Sequence, residues 1–179
     1  MKYLILLLFS GLANAAFIDV TVSNTDPTDG NCDLYSAIES ANTDTSVGGC
    51  TAGNGSDTIR LSGNVVLDRA LPVITGVLTI ESNNSSKRFV EPLNSLNVRI
   101  YETSSGSSLT LRNLVLRGGD SGSQPGGCIL SNGDLTINSS GVNYCDTSYS
   151  GYGAGVHHID GGLLTINNSD FMAVKFDSL

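Results

Sequence analysis

The sequence predicts an all-β chain, a right-handed parallel β-helix with a short N-terminal capping helix. Three observations carry that expectation: a Leu-Thr-aliphatic triplet that returns at coil-length intervals, one amphipathic segment ahead of the first triplet, and four cysteines arranged as two near-neighbour pairs. The triplets are Leu78-Thr79-Ile80, Leu109-Thr110-Leu111, Leu135-Thr136-Ile137 and Leu164-Thr165-Ile166, at intervals of 31, 26 and 29 residues. In a strand each would point both aliphatics inward and the Thr outward. Units of this length with several short strands and no helix cannot bury an apolar face alone, but stacking in register gives a continuous core and pairs every strand above and below. An antiparallel sandwich accommodates the same strands without giving a reason for near-identical triplets at such intervals.

Taken in order, the chain opens with Lys2, an apolar run from Tyr3 to Leu12, and the small-x-small pattern Ala13-Asn14-Ala15, which together are the signature of a secretory signal. Residues 1–15 are therefore expected to be removed on export, leaving a mature chain that starts near Ala16. The apolar run is too short for the roughly 20 residues of a membrane helix, and no later segment approaches that length. Residues 16–55 are expected to form an N-terminal cap. Within them Leu34, Ala37, Ile38 and Ala41 recur at helical spacing, with Asp33 suited to cap the start and Asn42 to end it. Such a helix would cover the apolar end of the first coil.

Residues 56–179 are expected to be coils. After each triplet a polar residue recurs (Ser82, Asn113, Ser139, Asn168), and an apolar one follows three positions later in the later coils (Leu116, Val142, Phe171), so a polar turn separates two inward-facing strands. Gly126-Gly127-Cys128-Ile129 and Gly153-Ala154-Gly155-Val156 repeat ahead of the last two triplets, where glycines permit tight corners or close approach between coils. Counted from Asp57, there is room for four coils and part of a fifth. Because Phe171 to Leu179 has no helix or polar cap, the sequence reads as truncated at its C-terminus, with an open end prone to end-to-end self-association.

An even cysteine count in an exported chain points to two disulfides. Of the three pairings, Cys32 with Cys50 and Cys128 with Cys145 closes the shortest loops. The spacings lack any Cys-x-x-Cys element, which argues against zinc, and no cofactor is expected. With 9 basic against 17 acidic residues the net charge is −8, the basic residues are scattered, and nucleic acid is not an expected partner. A hydrophobic content of 40 % separates the chain from disordered Ser/Asn/Gly-rich sequences.

The segment Cys32-Asp33-Leu34-Tyr35-Ser36-Ala37-Ile38-Glu39-Ser40-Ala41-Asn42, with Gly49-Cys50, Asp57-Thr58-Ile59-Arg60-Leu61, Leu71-Pro72-Val73-Ile74 and Gly76-Val77-Leu78-Thr79-Ile80, resembles the N-terminal CSLREA domain. Asp33, Tyr35 and Ser36 stand where the name-giving motif has Ser, Arg and Glu, so any ion pairing by those charges is missing. Gly126-Gly127-Cys128-Ile129 followed by Leu135-Thr136-Ile137-Asn138-Ser139-Ser140 is similar to the Gly-Gly-Ala-Ile repeats of right-handed β-helix surface proteins, including polymorphic outer-membrane proteins. Phe171-Met172-Ala173-Val174 departs from the Phe-x-x-Asn element of those repeats. The resemblance implies a longer surface or secreted protein with more coils and a C-terminal anchoring or secretion element.

Several β-helix proteins act on acidic polysaccharides, through carboxylates that hold Ca²⁺ beside a base, or through paired carboxylates. His157, His158 and Asp160 are the most concentrated polar group, and stacking would bring Asp120, Asp146 or Asp170 towards it; an exposed turn between strands accounts for the same residues. Asp26, Asp29, Asn31 and Asp33 have Ca²⁺-like oxygen chemistry without the EF-hand pattern, and turn formation and helix capping explain them. Sequons occur at Asn54, Asn83, Asn84, Asn138 and Asn167. The sequence thus favours a non-catalytic secreted or cell-surface scaffold, adhesin-like or part of the cell envelope, facing an extracellular surface or glycan. A polysaccharide-degrading enzyme without a complete recognisable active site is the alternative.

Overall fold

The structure, a computed structural model, describes residues 15–94, 96–147, 153–159 and 161–172. In chain order these form β1 (Phe17–Val20), α1 (Leu34–Thr43), β2 (Ser56–Leu61), β3 (Val65–Leu67), β4 (Val77–Ser82), β5 (Arg88–Pro92), β6 (Tyr101–Thr103), β7 (Ser108–Arg112), β8 (Leu114–Arg117), β9 (Ile129–Ser131), β10 (Asp134–Asn138), β11 (Gly141–Asn143), β12 (Val156–His158), β13 (Leu164–Asn167) and β14 (Asp170–Met172). They line up as three parallel sheets, in the orders β1-β2-β4-β7-β10-β13, β3-β5-β8-β11-β14 and β6-β9-β12. The chain visits the three faces in rotation and climbs one strand per circuit. This is a parallel β-helix of about four turns.

The repeated triplets set the register. Leu78, Leu109, Leu135 and Leu164 stand one above another, as do their threonines and the final Ile80, Leu111, Ile137 and Ile166. The inward residues of the inner strands are fully or almost fully buried, each contributing about 1.5–3 kcal/mol of transfer free energy. Along the second sheet a matching row runs through Val65, Val90, Leu116, Val142 and Phe171. Tyr101 brings a buried phenol to the third sheet, and burial pushes its ionisation well above the ordinary value.

Between the first two sheets the corner is a single left-handed residue in the later turns: Asn113 (φ 54°), Ser139 (φ 49°) and Asn168 (φ 48°). Asn tolerates this conformation because its short polar side chain bonds locally, which accounts for the polar residue that recurs after the three later triplets. Ser82 does not do this; it remains in β4 and the longer segment 83–87 makes the corner. Extra coil length is thus absorbed outside the strands.

Outward side chains stack as well. Asp19, Arg60, Glu81 and Arg112 are successive cross-strand neighbours of alternating charge, with Arg60 donating twice to Asp19 at 2.7 Å and Arg112 lying 3.7 Å from Glu81. The row ends in an amide pair, Asn167 Nδ2 donating to Asn138 Oδ1 at 2.9 Å. Such pairs stabilise neighbouring strands and suppress slippage.

At the N-terminal end, Asp33 accepts from Ser36 N at 2.9 Å and from Ser36 Oγ at 3.0 Å, starting α1, which turns Leu34, Ala37 and Ile38 inward and packs on β1 and β2. Two details differ from the sequence expectation. The helix runs to Thr43 and stops at left-handed Asp44 (φ 53°), because Asn42 has other work: its Nδ2 donates to Val73 O at 2.8 Å and its Oδ1 accepts from Thr75 N at 3.0 Å. Residues 16–55 are also not cap alone. Phe17–Val20 joins the long sheet beside β2, with Ile18 and Val20 entering the core.

Candidate functional site

Where the second sheet turns towards the third, successive circuits leave an open groove of about 350 Å³ whose polar wall includes Glu91, Asn94, Arg117, Asp120, Tyr144 and Asp146. Glu91 is the last residue but one of β5 and Arg117 the last of β8, so stacking puts them side by side. Arg117 Nη2 donates to Glu91 Oε1 at 3.0 Å and its Nε donates to Oε2, while its guanidinium lies 4.3 Å from the centre of the Phe89 ring. The hydrogen bond to Glu91 raises the guanidinium's already high ionisation value, so this cation is permanent. Tyr144 occupies a left-handed corner (φ 54°) with its backbone N–H on Met172 O at 2.9 Å, which leaves its side chain projecting and exposed.

Asp120 and Asp146 face each other across an isolated parallel bridge. Two like charges one strand spacing apart repel unless each finds donors. Asp120 Oδ1 accepts from Gly122 N at 2.7 Å and Asp146 Oδ1 from Thr147 N at 2.8 Å, so each carboxylate also fixes its own loop. The Cys128–Cys145 disulfide ties the start of the third sheet to this corner, and Cys32–Cys50 pins α1, both as the loop lengths suggest. Between these turns the backbones almost touch: a side chain at Gly127 would meet Asp146 O at 2.0 Å.

The other sequence candidates are dispersed. His157 and His158 are in β12, paired with Leu130 and Ser131, and not in an exposed turn; the turn comes later, at Gly161-Gly162. The reason is register, since Val156 must stack on Ile129 and draws the two histidines into the ladder. His158 Nε2 is 3.0 Å from Gly162 O, its Nδ1 is buried without a hydrogen bond, and Asp160 lies outside the described residues. Asp170 is bound to Lys87 at 3.3 Å. Among the described residues no cluster of three His, Cys, Asp or Glu side chains has the geometry of a metal site.

The acidic segment before α1 behaves as turn and cap chemistry. Asp26 takes the Thr28 hydroxyl (2.6 Å) and amide (3.0 Å), and Asp29 takes the Asn31 amide at 2.8 Å; these bonds hold both carboxyls below their usual range. Of the sequon asparagines, Asn54, Asn83, Asn84 and Asn167 are exposed and Asn138 is half-buried.

Glu91, Arg117 and Tyr144 escape a motif search. A signal was present nonetheless: Glu91 to Arg117 and Asp120 to Asp146 each span 26 residues, the same interval that separates two of the triplets. No helix among the described residues is long and apolar enough to cross a membrane. No protein-family model, curated protein or solved structure matches the chain.

Proposed function

We propose that this chain is a non-catalytic, exported β-helix scaffold of the cell surface or extracellular space, akin to CSLREA-containing surface proteins, and that its corner groove binds an extended polar polymer such as a surface glycan. The observation that carries this reading is the commitment of the groove's charged groups. Glu91 is taken by Arg117, and Asp120 and Asp146 hold loop amides, so their bonding serves shape before proton transfer. Around them the exposed Tyr144 ring supplies an apolar face with a polar tip, a combination suited to sugars. The leader-like first 15 residues and the two disulfides support an oxidising, exported setting.

The test is a glycan array read with the oxidised protein, followed by Tyr144→Ala and Arg117→Ala. Binding that weakens about tenfold or more in either variant, with glycan length unchanged, supports the reading; a hot-spot aromatic or Arg is worth ~1–2 kcal/mol or more. Side-by-side Asp120 and Asp146 favour a second reading, a polysaccharide-degrading enzyme. Release of products from acidic glycans, abolished by Asp120→Asn or Asp146→Asn but not by His157→Ala or His158→Ala, would put that reading first.

A further inference from the structure

In the inward row where other turns place Leu78, Leu109 and Leu135, the first turn has Asp57, a carboxylate that is 2 % exposed. Its Oδ1 accepts from Asn54 N at 2.9 Å and from Ala16 N at 3.0 Å, and its Oδ2 is buried with no partner. A buried carboxylate so incompletely paired is destabilising unless a cation reaches it. Of the two nitrogens on Oδ1, that of Ala16 is the one that can become a cation. Thr58 N donates to Ala16 O at 2.9 Å and β1 starts pairing with β2 at the next residue, so strand register holds that nitrogen in place. Ala15, one residue earlier, is exposed.

We propose that Asp57 is the docking site for the α-ammonium group of Ala16, created when export removes residues 1–15. The inference rests on the export reading of the first residues. An export peptidase hydrolyses the Ala15–Ala16 amide: the C–N bond breaks, water's hydroxyl completes the Ala15 carboxyl, its hydrogen goes to the Ala16 nitrogen, and the amine takes a further proton from solvent. One neutral N–H donor becomes a cation with three. The buried carboxylate gains its counter-charge at Oδ1, and the start of β1 is locked onto the first turn. Cleavage one residue away would leave the ammonium about one residue's rise, ~3.3 Å, out of place.

The experiment compares the secreted protein with a form made to begin at Ala15, both retaining Asp57. The secreted chain is expected to begin at Ala16, and its α-amine to react with an acylating ester about tenfold or more slowly than that of the longer form, because its ion pair with the buried Asp57 must open first. Lys87 serves as the internal control. The Ala16 form is also expected to melt at the higher temperature, and Asp57→Asn to restore fast acylation. A secreted chain that begins elsewhere overturns the inference together with its export premise. A chain that begins at Ala16 but reacts and melts like the longer form overturns the docking alone.

Discussion

Ile18 and Ile166 occupy the same inward row at the two ends of the long sheet, yet Ile18 is fully buried and Ile166 is 45 % exposed. The inner turns are covered by copies of themselves, so an aliphatic residue at the right interval is enough. At the N-terminal end something that is not a coil must do the covering, and α1 supplies Leu34 and Ile38 over β1 and β2, fixed by Cys32–Cys50. At the other end of the described stack, β13 and β14 each pair on one side only, and Leu164, Ile166, Phe171 and Met172 remain open. Burial in a solenoid therefore depends on position in the stack more than on the residue.

The contrast can be tested by equal deletions at unequal places. Ile38→Ala empties a fully buried site and is expected to cost about 2–5 kcal/mol, whereas Ile166→Ala should cost less than about 1 kcal/mol, both read by denaturant unfolding. Removing Cys32–Cys50 by the double serine variant should lower stability by about 3 kcal/mol, the chain-entropy value for a loop of this length. Asp33→Ala removes the helix cap and leaves Ser36 without its acceptor, for a loss of about 1 kcal/mol in the same assay. The smallest effect belongs to the exterior: Arg60→Ala should cost within about 1 kcal/mol and less in high salt, since both partners of its ion pair are solvent-accessible.

These differences also explain what the sequence makes legible. Leu109-Thr110-Leu111 and Leu135-Thr136-Ile137 announce their strands because each must satisfy a neighbour of the same kind, and that constraint repeats. Asp33 and the two cysteine pairs are legible through local chemistry, a cap and short loops. β1 is not, because Phe17-Ile18-Asp19-Val20 carries no triplet and joins the sheet across an intervening helix. The groove is hidden for a related reason: Glu91 and Arg117 are ordinary surface residues until the coil interval places one above the other. His157 and His158 mislead in the opposite direction, since polar residues beside Gly161-Gly162 suggest a turn, while the stacking of Val156 on Ile129 decides that they are strand.

The left-handed corners at Asn113, Ser139 and Asn168 have a consequence for the molecule as a measuring device. Since each corner turns the chain from one sheet to the next in one residue and lengthening is confined to connectors such as 83–87, turns of different length keep the same pitch. The six strands of the long sheet therefore mark off a distance of roughly 24 Å in steps of about 4.8 Å. A group mounted on any turn, such as Arg60 or Arg112, stands at a height set by counting turns and not by how many residues lie between them.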